Sequence, residues 1–418
     1  MQTSMKVANI KQSGIRALST ACASMGGINL GQGLCDTPIH EQIKQAASQV
    51  IYDDKSLYSA SEGLLELRQV ITDKIARFNK IVVSTDEVIV TNGATGAFVC
   101  AILSLFNPGD EIILFEPFYG CHKNIIEFHG MIVKTVSINL NDFSINLDEL
   151  TKTITQKTKG IVICNPCNPC GKIFSLAELL AIGAVAKKQG LVVISDEIYE
   201  YITYPGVEHH SFANLADHKN FTITISGLSK TYNMTGWRLG YASGPAHIIH
   251  KMASIQDLLY VCPPTPLQHA AISAFTLADD YYLEMKKTYL AKRDYTVNQL
   301  IACGFSVPIP QGAYYVLADF SNLPFDNDEQ AAMFILQHAK VATVSGSNFY
   351  INPEDGKKKL RICFATDEAR IKLAMETISK LPTISLNVVF NDHAPVKIAA
   401  APISPNSRPM YCSFLRDS

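Results

Sequence analysis

The chain has 418 residues, a formal net charge of -2 and no long block of one sign, so it lacks the electrostatic footprint of a nucleic-acid or anionic-membrane binder. No apolar run reaches the roughly 18 residues of a membrane span, and the N-terminus lacks the continuous apolar core of a secretory signal. Eleven cysteines, an odd number spread through expected strands and helices, argue for free thiols in a reducing compartment, and the chain reads as cytoplasmic.

Residues 1–45 read as an arm and a loop. Lys6, Lys11 and Arg16 precede the first acid, Asp36, as in an organelle transit peptide, but folded-looking chain from about Ser13 leaves little room for one. SGIRALSTACA has helical periodicity, and INLGQGLCDTP ends in turn chemistry around Gly31, Gly33, Asp36 and Pro38. A helix is expected from Ile39 to Val50. In YSASEGLLELRQVITDKIARF, Ser61 or Glu62 is expected to cap a helix whose Leu64, Leu67, Ile71 and Ile75 line one face.

Strand and helix then alternate. EVIVT leads through Asn92 and Gly93 into the helix ATGAFVCAILSLF; DEIILFE ends in PFYGCH; GIVICN ends in PCNPCG; LVVISDE follows the helix SLAELLAIGAVAKKQG; FTITIS ends at a lysine loop. Continuous apolar strands separated by helices imply a mostly parallel sheet covered on both faces, with ligands gathering at the carboxyl ends of the strands. Gly93, Ala94, Thr95, Tyr119, Asn168, Asp196, Tyr199 and Lys230 all lie at or just beyond such ends. They are expected to share one crevice.

After Gly240 a helical tract with a proline break at VCPPTP continues to about Leu300, and IACGFSVPIPQGAYYVLADF reads as two strands. A helix near Asp328, short apolar chain at Val341, the strand KLRICFAT and a last helix from Asp367 complete a smaller α/β unit. Residues 384–418 are proline-rich, have no period, and receive no role.

Lys230, entering a loop straight after a buried-looking run, is poorly placed for surface duty. A desolvated lysine is partly deprotonated and can form a Schiff base with an aldehyde. Asp196 can keep a heteroaromatic nitrogen protonated, making the ring an electron sink, or be a helix N-terminal acid satisfied by backbone donors. Gly93, Ala94 and Thr95 open a helix and offer N–H groups to a phosphate, against the commoner alternative of a bare capping turn. Arg238 offers a bidentate partner to that phosphate or forms a structural ion pair, and Tyr119 either stacks on a flat ring or packs the core. Cys164, Cys167 and Cys170 are spaced for a metal, but they alternate with turn-forming Asn-Pro pairs and no fourth ligand follows. The reading therefore includes no metal.

Seven motifs in order, YSASEGLLELR, TNGATGAF, EPFYGC, NPCNPCG, SDEIYEY, SGLSKTYNMTGWRLGY and LRICFAT, resemble the class I/II aminotransferases of pyridoxal-phosphate fold type I over roughly residues 13–383. The resemblance implies an α/β fold. A large domain (46–284) would hold a mostly parallel seven-stranded sheet with helices on both faces, beside a smaller α/β domain made of the N-terminal arm (1–45) and residues 285–383. It implies that Lys230 binds pyridoxal 5'-phosphate as a Schiff base and then shuttles a proton, with Asp196 on the pyridine nitrogen and Tyr199 and Asn168 on the phenolate oxygen. Tyr119 matches the stacking aromatic; Gly93, Ala94, Thr95 and Arg238 match the phosphate cup; Arg361, helped by Asn168 and the backbone near Gly33, matches the clamp on the substrate α-carboxylate. Tyr58 matches a tyrosine reaching the neighbouring subunit's phosphate, which implies a homodimer.

Four features depart from the family pattern. Cys170 replaces the threonine of NPTG. Gly227 stands where a phosphate-binding serine is usual, leaving Ser226 or Ser229 as substitutes, and the loop GLCDTP is short. Thr95 stands where some members acting on acidic substrates carry a lysine. The expected activity is transfer of an amino group from an L-amino acid to a 2-oxo acid by a ping-pong reaction, with Tyr119, Phe349 and the pair Tyr314 and Tyr315, expected to line the pocket mouth, favouring a neutral or aromatic donor. The alternatives are a carbon-sulfur β-lyase or synthase of the same fold, or a regulatory module that keeps the cofactor without turnover.

Overall fold

The computed structural model describes residues 4, 7, 14–33, 35–215 and 217–381. The tail at 384–418 lies outside them. Twelve strands are named in chain order. β1 (Ile28–Asn29) lies in the N-terminal arm, and β2 (Val88–Asn92), β3 (Glu111–Glu116), β4 (Ile132–Ser137), β5 (Thr158–Cys164), β6 (Val192–Asp196), β7 (Thr222–Gly227) and β8 (Leu239–Ser243) form the main sheet. β9 (Tyr315–Asp319), β10 (Val341–Ala342), β11 (Val344–Ser345) and β12 (Lys359–Cys363) follow.

The main sheet has seven strands in the order β2-β8-β7-β6-β5-β3-β4. Only β8 runs antiparallel to its neighbours. Five of these strands coincide with the apolar runs of the sequence, and they are apolar throughout because both faces are covered. Ile113, Phe115, Ile161, Ile163 and Val193 pack with Leu179, Ile182 and Ala186 of the helix Leu176–Gln189. The alternating residues Ile112, Leu114, Val162 and Ile194 face the opposite way, against Phe98, Ala101 and Ile102 of the helix Gly93–Leu105 and Ile249 and Met252 of the helix Ala246–Tyr260. This is the period-two geometry of a strand, and burying each such side chain stabilises the fold by roughly 1.5–3 kcal/mol.

The helix expected after Ser61 or Glu62 begins later, at Leu65–Lys74, with Leu64 at its cap and no side-chain cap bond. The Leu64 N–H instead donates to Gln268 Oε1 at 2.9 Å, a partner 204 residues away that no local pattern announces. Its apolar face is as read: Leu67, Ile71 and Ile75 are buried.

The second sheet is antiparallel, β11-β12-β9, with β12 central. β1 pairs in parallel with β10, Ile28 opposite Val341, which joins the arm to the C-terminal part of the chain. The Leu30 carbonyl then accepts from the Cys363 N–H at 2.7 Å, laying the loop after β1 against the end of β12. The first of the two strands expected between Ile301 and Phe320 is reduced to one bridge, Ser306 to Asp319. Pro308 and Pro310 lack the N–H donors a longer ladder needs. The helix Asp279–Ala302 runs through the 284/285 position at which the sequence reading divides the chain.

Candidate active site

Lys230 lies in the short helix Leu228–Thr231, which opens directly from the carboxyl end of β7. Its Nζ donates to the Gly33 carbonyl at 3.1 Å and lies 5.7 Å from the Tyr314 ring centroid and 5.9 Å from that of Tyr199. Burial lowers its pKa, and the cations Arg361 and Arg238 add to that, while the Cys363 and Cys35 thiols oppose it. The amine is thereby biased towards its nucleophilic, neutral form. Asn233 (φ 58) and Arg238 (φ 55) hold left-handed conformations in the same segment. Such backbone is costly for non-glycine residues and concentrates at functional sites.

Asp196 ends β6, the strand next to β7, where it lies opposite Ile225. Its Oδ1 accepts from the Ile198 N–H at 3.2 Å, and its Oδ2 lies 3.0 Å from His122 Nε2. His122 sits on the helix Gly120–Phe128, is buried, and stacks on Phe98 at 4.4 Å. The Tyr199 hydroxyl lies 3.0 Å from that of Tyr315, both rings being buried.

Arg361 of β12 donates through Nη1 to Asn168 Oδ1 at 2.9 Å and through Nη2 to the Gly31 carbonyl at 2.6 Å. Its guanidinium lies over the rings of Tyr315 and Phe349, 4.5 and 5.0 Å from their centroids, and its Nε is buried with no partner among the described residues. A fork so desolvated is a strong receptor for a carboxylate. Phe349, Tyr314 and Tyr315 are all buried and do not line an open mouth.

Gly93 (φ 72) opens the helix Gly93–Leu105, and Asn92 before it makes no side-chain cap bond. A Cβ on Gly93 would sit 2.5 Å from Arg238 Nη2, so the missing side chain lets the guanidinium reach the helix start. A Cβ on Gly240 would likewise strike Gly93 and the Ala94 nitrogen. Gly240 pairs with both Thr91 and Gly227, and thus brings the helix start beside the lysine strand. Ala94 is half-buried and Thr95 exposed. Ser226 donates to Glu200 Oε1 at 2.7 Å and is committed elsewhere, whereas Ser229 is buried in the lysine helix with no such engagement described. Tyr119 is half-buried at the start of the helix Gly120–Phe128, edge-on to His122 at 5.2 Å. Tyr58 stands apart, 83% exposed on this chain.

A family model described as aminotransferase class I and II matches residues 26–378. The chain belongs to that family. Among its relatives, the aspartate aminotransferase of Sulfolobus acidocaldarius is 34% identical over 360 residues, covering 84% of this chain and 89% of that protein. The solved N-succinyldiaminopimelate aminotransferase from Mycobacterium tuberculosis superposes with a TM-score of 0.87 at 29% identity, over 90% of this chain and 99% of that one. The aromatic aminotransferase from Pyrococcus horikoshii OT3 superposes with a TM-score of 0.81 at 32% identity, over 87% and 97% of the two chains. The protein is therefore a pyridoxal-phosphate-dependent aminotransferase, and the lyase alternative is not favoured by these relatives.

The residues present fit that cofactor. A depressed lysine amine suits its aldehyde, a buried carboxylate its ring nitrogen, and a helix start with an adjacent guanidinium its phosphate. Sequence reasoning missed His122, because GCHKN carries no local signal and its partner is 74 residues away. It named Tyr315 only as an aromatic, not for its hydroxyl contact with Tyr199.

Proposed function

We propose that this aminotransferase moves the amino group of a neutral or aromatic L-amino acid to a 2-oxo acid in two half-reactions on one site. When bound, pyridoxal phosphate supplies the electron sink for loss of the substrate Cα proton. Lys230 would hold the cofactor between turnovers and, once displaced by the substrate amine, would take the substrate Cα proton and deliver it across the nitrogen to the cofactor's former aldehyde carbon. Asp196, held by His122, keeps the ring nitrogen protonated. Tyr199 and Asn168 bond the phenolate oxygen, and Tyr119 stacks on the ring. Gly93, Ala94, Thr95, Ser229 and Arg238 bind the phosphate, joined by Tyr58 of the partner subunit. Arg361 and Asn168, with the backbone at Gly33, orient the substrate carboxylate.

The observation that carries the substrate assignment is the character of the wall around Arg361. Tyr315 and Phe349 flank the guanidinium, and Thr95 stands where some family members acting on acidic substrates carry a lysine. Relatives named for aspartate make aspartate the comparison substrate. With 2-oxoglutarate as acceptor, kcat/KM for phenylalanine, tyrosine or leucine should exceed that for aspartate by about tenfold or more. The opposite ranking refutes the substrate class and leaves the cofactor chemistry standing.

A homodimer in the cytoplasm is the proposed working unit. Ile51, Tyr52, Leu57, Tyr58 and Leu258 are large apolar or aromatic side chains left at least 68% exposed. The Ser59 N–H donates to Thr265 Oγ1 at 3.1 Å, which ties the 57–59 segment to the chain just after Leu258. An apolar patch of this kind is what a subunit interface covers. The ten cysteines among the described residues are free thiols, in keeping with a reducing compartment.

A further inference from the structure

The contact between the Tyr199 and Tyr315 hydroxyls is not used by the chemistry above. It spans 116 residues of sequence, closes at 3.0 Å and is fully buried. Buried hydroxyls need partners, and a structural pair would satisfy that need. Two further observations point past that explanation. Any side chain at Gly33 would collide with the Tyr315 hydroxyl, so the loop over Lys230 has no side chain where that hydroxyl sits. The Tyr315 ring also carries the Arg361 guanidinium at 4.5 Å, so one side chain touches both the substrate-carboxylate site and the ring-oxygen site.

We propose that Tyr315 is a positioning residue for the amino-transfer reaction: its hydroxyl donates to the Tyr199 hydroxyl and so fixes the direction and strength with which Tyr199 donates to the phenolate oxygen of the cofactor. Each phenol has one proton to give. If Tyr199 gives its own to the phenolate oxygen, its lone pair is free to accept from Tyr315, and a donor that itself accepts a bond is a stronger donor. Arg361 packs on the Tyr315 ring and holds it in the orientation this chain of bonds requires. The titratable and charged groups facing the pair are Arg361, Lys230, Tyr119, Tyr314, Cys164 and Cys363. Among the described residues the Tyr199 hydroxyl is the side-chain partner of the Tyr315 hydroxyl, while the Tyr314 hydroxyl donates to the Gly33 carbonyl.

This inference rests on Tyr199 serving the phenolate oxygen, and its test separates the two. In the lysine-bound cofactor, the nitrogen shares a proton with that oxygen. Weakening the bond to the oxygen leaves it more basic and holds the nitrogen's proton more tightly. The midpoint of the pH-dependent near-visible absorbance of the holoenzyme, recorded without substrate, should rise by about 0.5 unit in Tyr315→Phe. It should rise further in Tyr199→Phe, and in Tyr199→Phe/Tyr315→Phe the second change should add nothing. Integrated absorbance against protein concentration verifies cofactor loading in each variant. An unmoved midpoint in Tyr315→Phe, with Tyr199→Phe shifted, overturns the role of Tyr315 alone. A Tyr315→Phe shift that survives undiminished without the Tyr199 hydroxyl overturns the relay. An unmoved midpoint in Tyr199→Phe overturns both the relay and the assignment of Tyr199.

Discussion

Arg361 concentrates the substrate problem in one side chain. Its two Nη groups are already used, on Asn168 and the Gly31 carbonyl, and its Nε has no partner among the described residues. An incoming carboxylate therefore meets a guanidinium that is oriented and desolvated before binding, which is where charge-assisted bonds are worth most. Arg361→Lys keeps the charge but loses the fork. Steady-state kinetics should show kcat/KM for the amino donor falling about a hundredfold or more, at roughly 1.5–3 kcal/mol for each lost bond to a charged group. Cofactor absorbance should be retained, and a variant with unchanged kcat/KM removes Arg361 from the carboxylate site. At this scale Lys230 and Asp196 were legible because each ends an apolar strand. His122 was not, since its function as a partner exists only once β6 and the helix Gly120–Phe128 are side by side.

The segment after β6 shows what an element costs when chemistry sits at its end. Glu197 and Glu200 are both buried there. Glu200 is held by Lys74 at 2.5 Å, Asn79 at 2.7 Å and Ser226 at 2.7 Å, and the attraction of Lys74 with these bonds keeps its pKa below the usual carboxylate value despite burial. Among the described residues Glu197 pairs with no lysine or arginine; His209 lies 3.8 Å from its Oε2, but burial lowers the His209 pKa to about 4 and leaves that ring neutral above it. Burial, with repulsion from Glu200, raises its pKa from 4.5 to about 8, although Ser195, Ser211 and the Phe212 N–H all donate to Oε1. Its folded form stays protonated while the unfolded chain ionises, so the unfolded state binds fewer protons between pH 4.5 and about 8 and stability falls as pH rises through that window. Glu197→Gln keeps an acceptor at Oε1 and removes the titration. Denaturant melts at pH 5 and pH 8 should show wild type losing on the order of 4 kcal/mol more than the variant. Equal losses in the two proteins contradict the buried, protonated carboxyl. Elements with apolar runs were readable from sequence; β4 was not, because it lies at the sheet edge with only Val136 fully buried and lysine and hydroxyl residues on its half-exposed positions.

At the scale of the whole molecule, the rule that ligands gather at strand ends is enough to group most of the candidate crevice from sequence alone, since β2, β3, β5, β6 and β7 run parallel to one another. It could not reach Arg361, which enters from the second sheet, or Tyr58, which faces away on this chain. Both were named through family resemblance rather than physics. The exposed Leu57 and Tyr58 give the proposed dimer a direct check. Sedimentation should give a dimer for wild type and a monomer for Leu57→Glu, with cofactor retention falling in step because the phosphate loses the partner's tyrosine. A monomeric wild type, or a dissociated variant that keeps its cofactor as tightly, contradicts a shared site.

The central claim is that Lys230 carries the cofactor. Borohydride reduction of the holoenzyme followed by peptide mapping tests it most directly. The account predicts the reduced cofactor on the peptide containing Lys230, and no near-visible band in Lys230→Ala that is folded by circular dichroism. A label on any other lysine, or an intact band in Lys230→Ala, contradicts it.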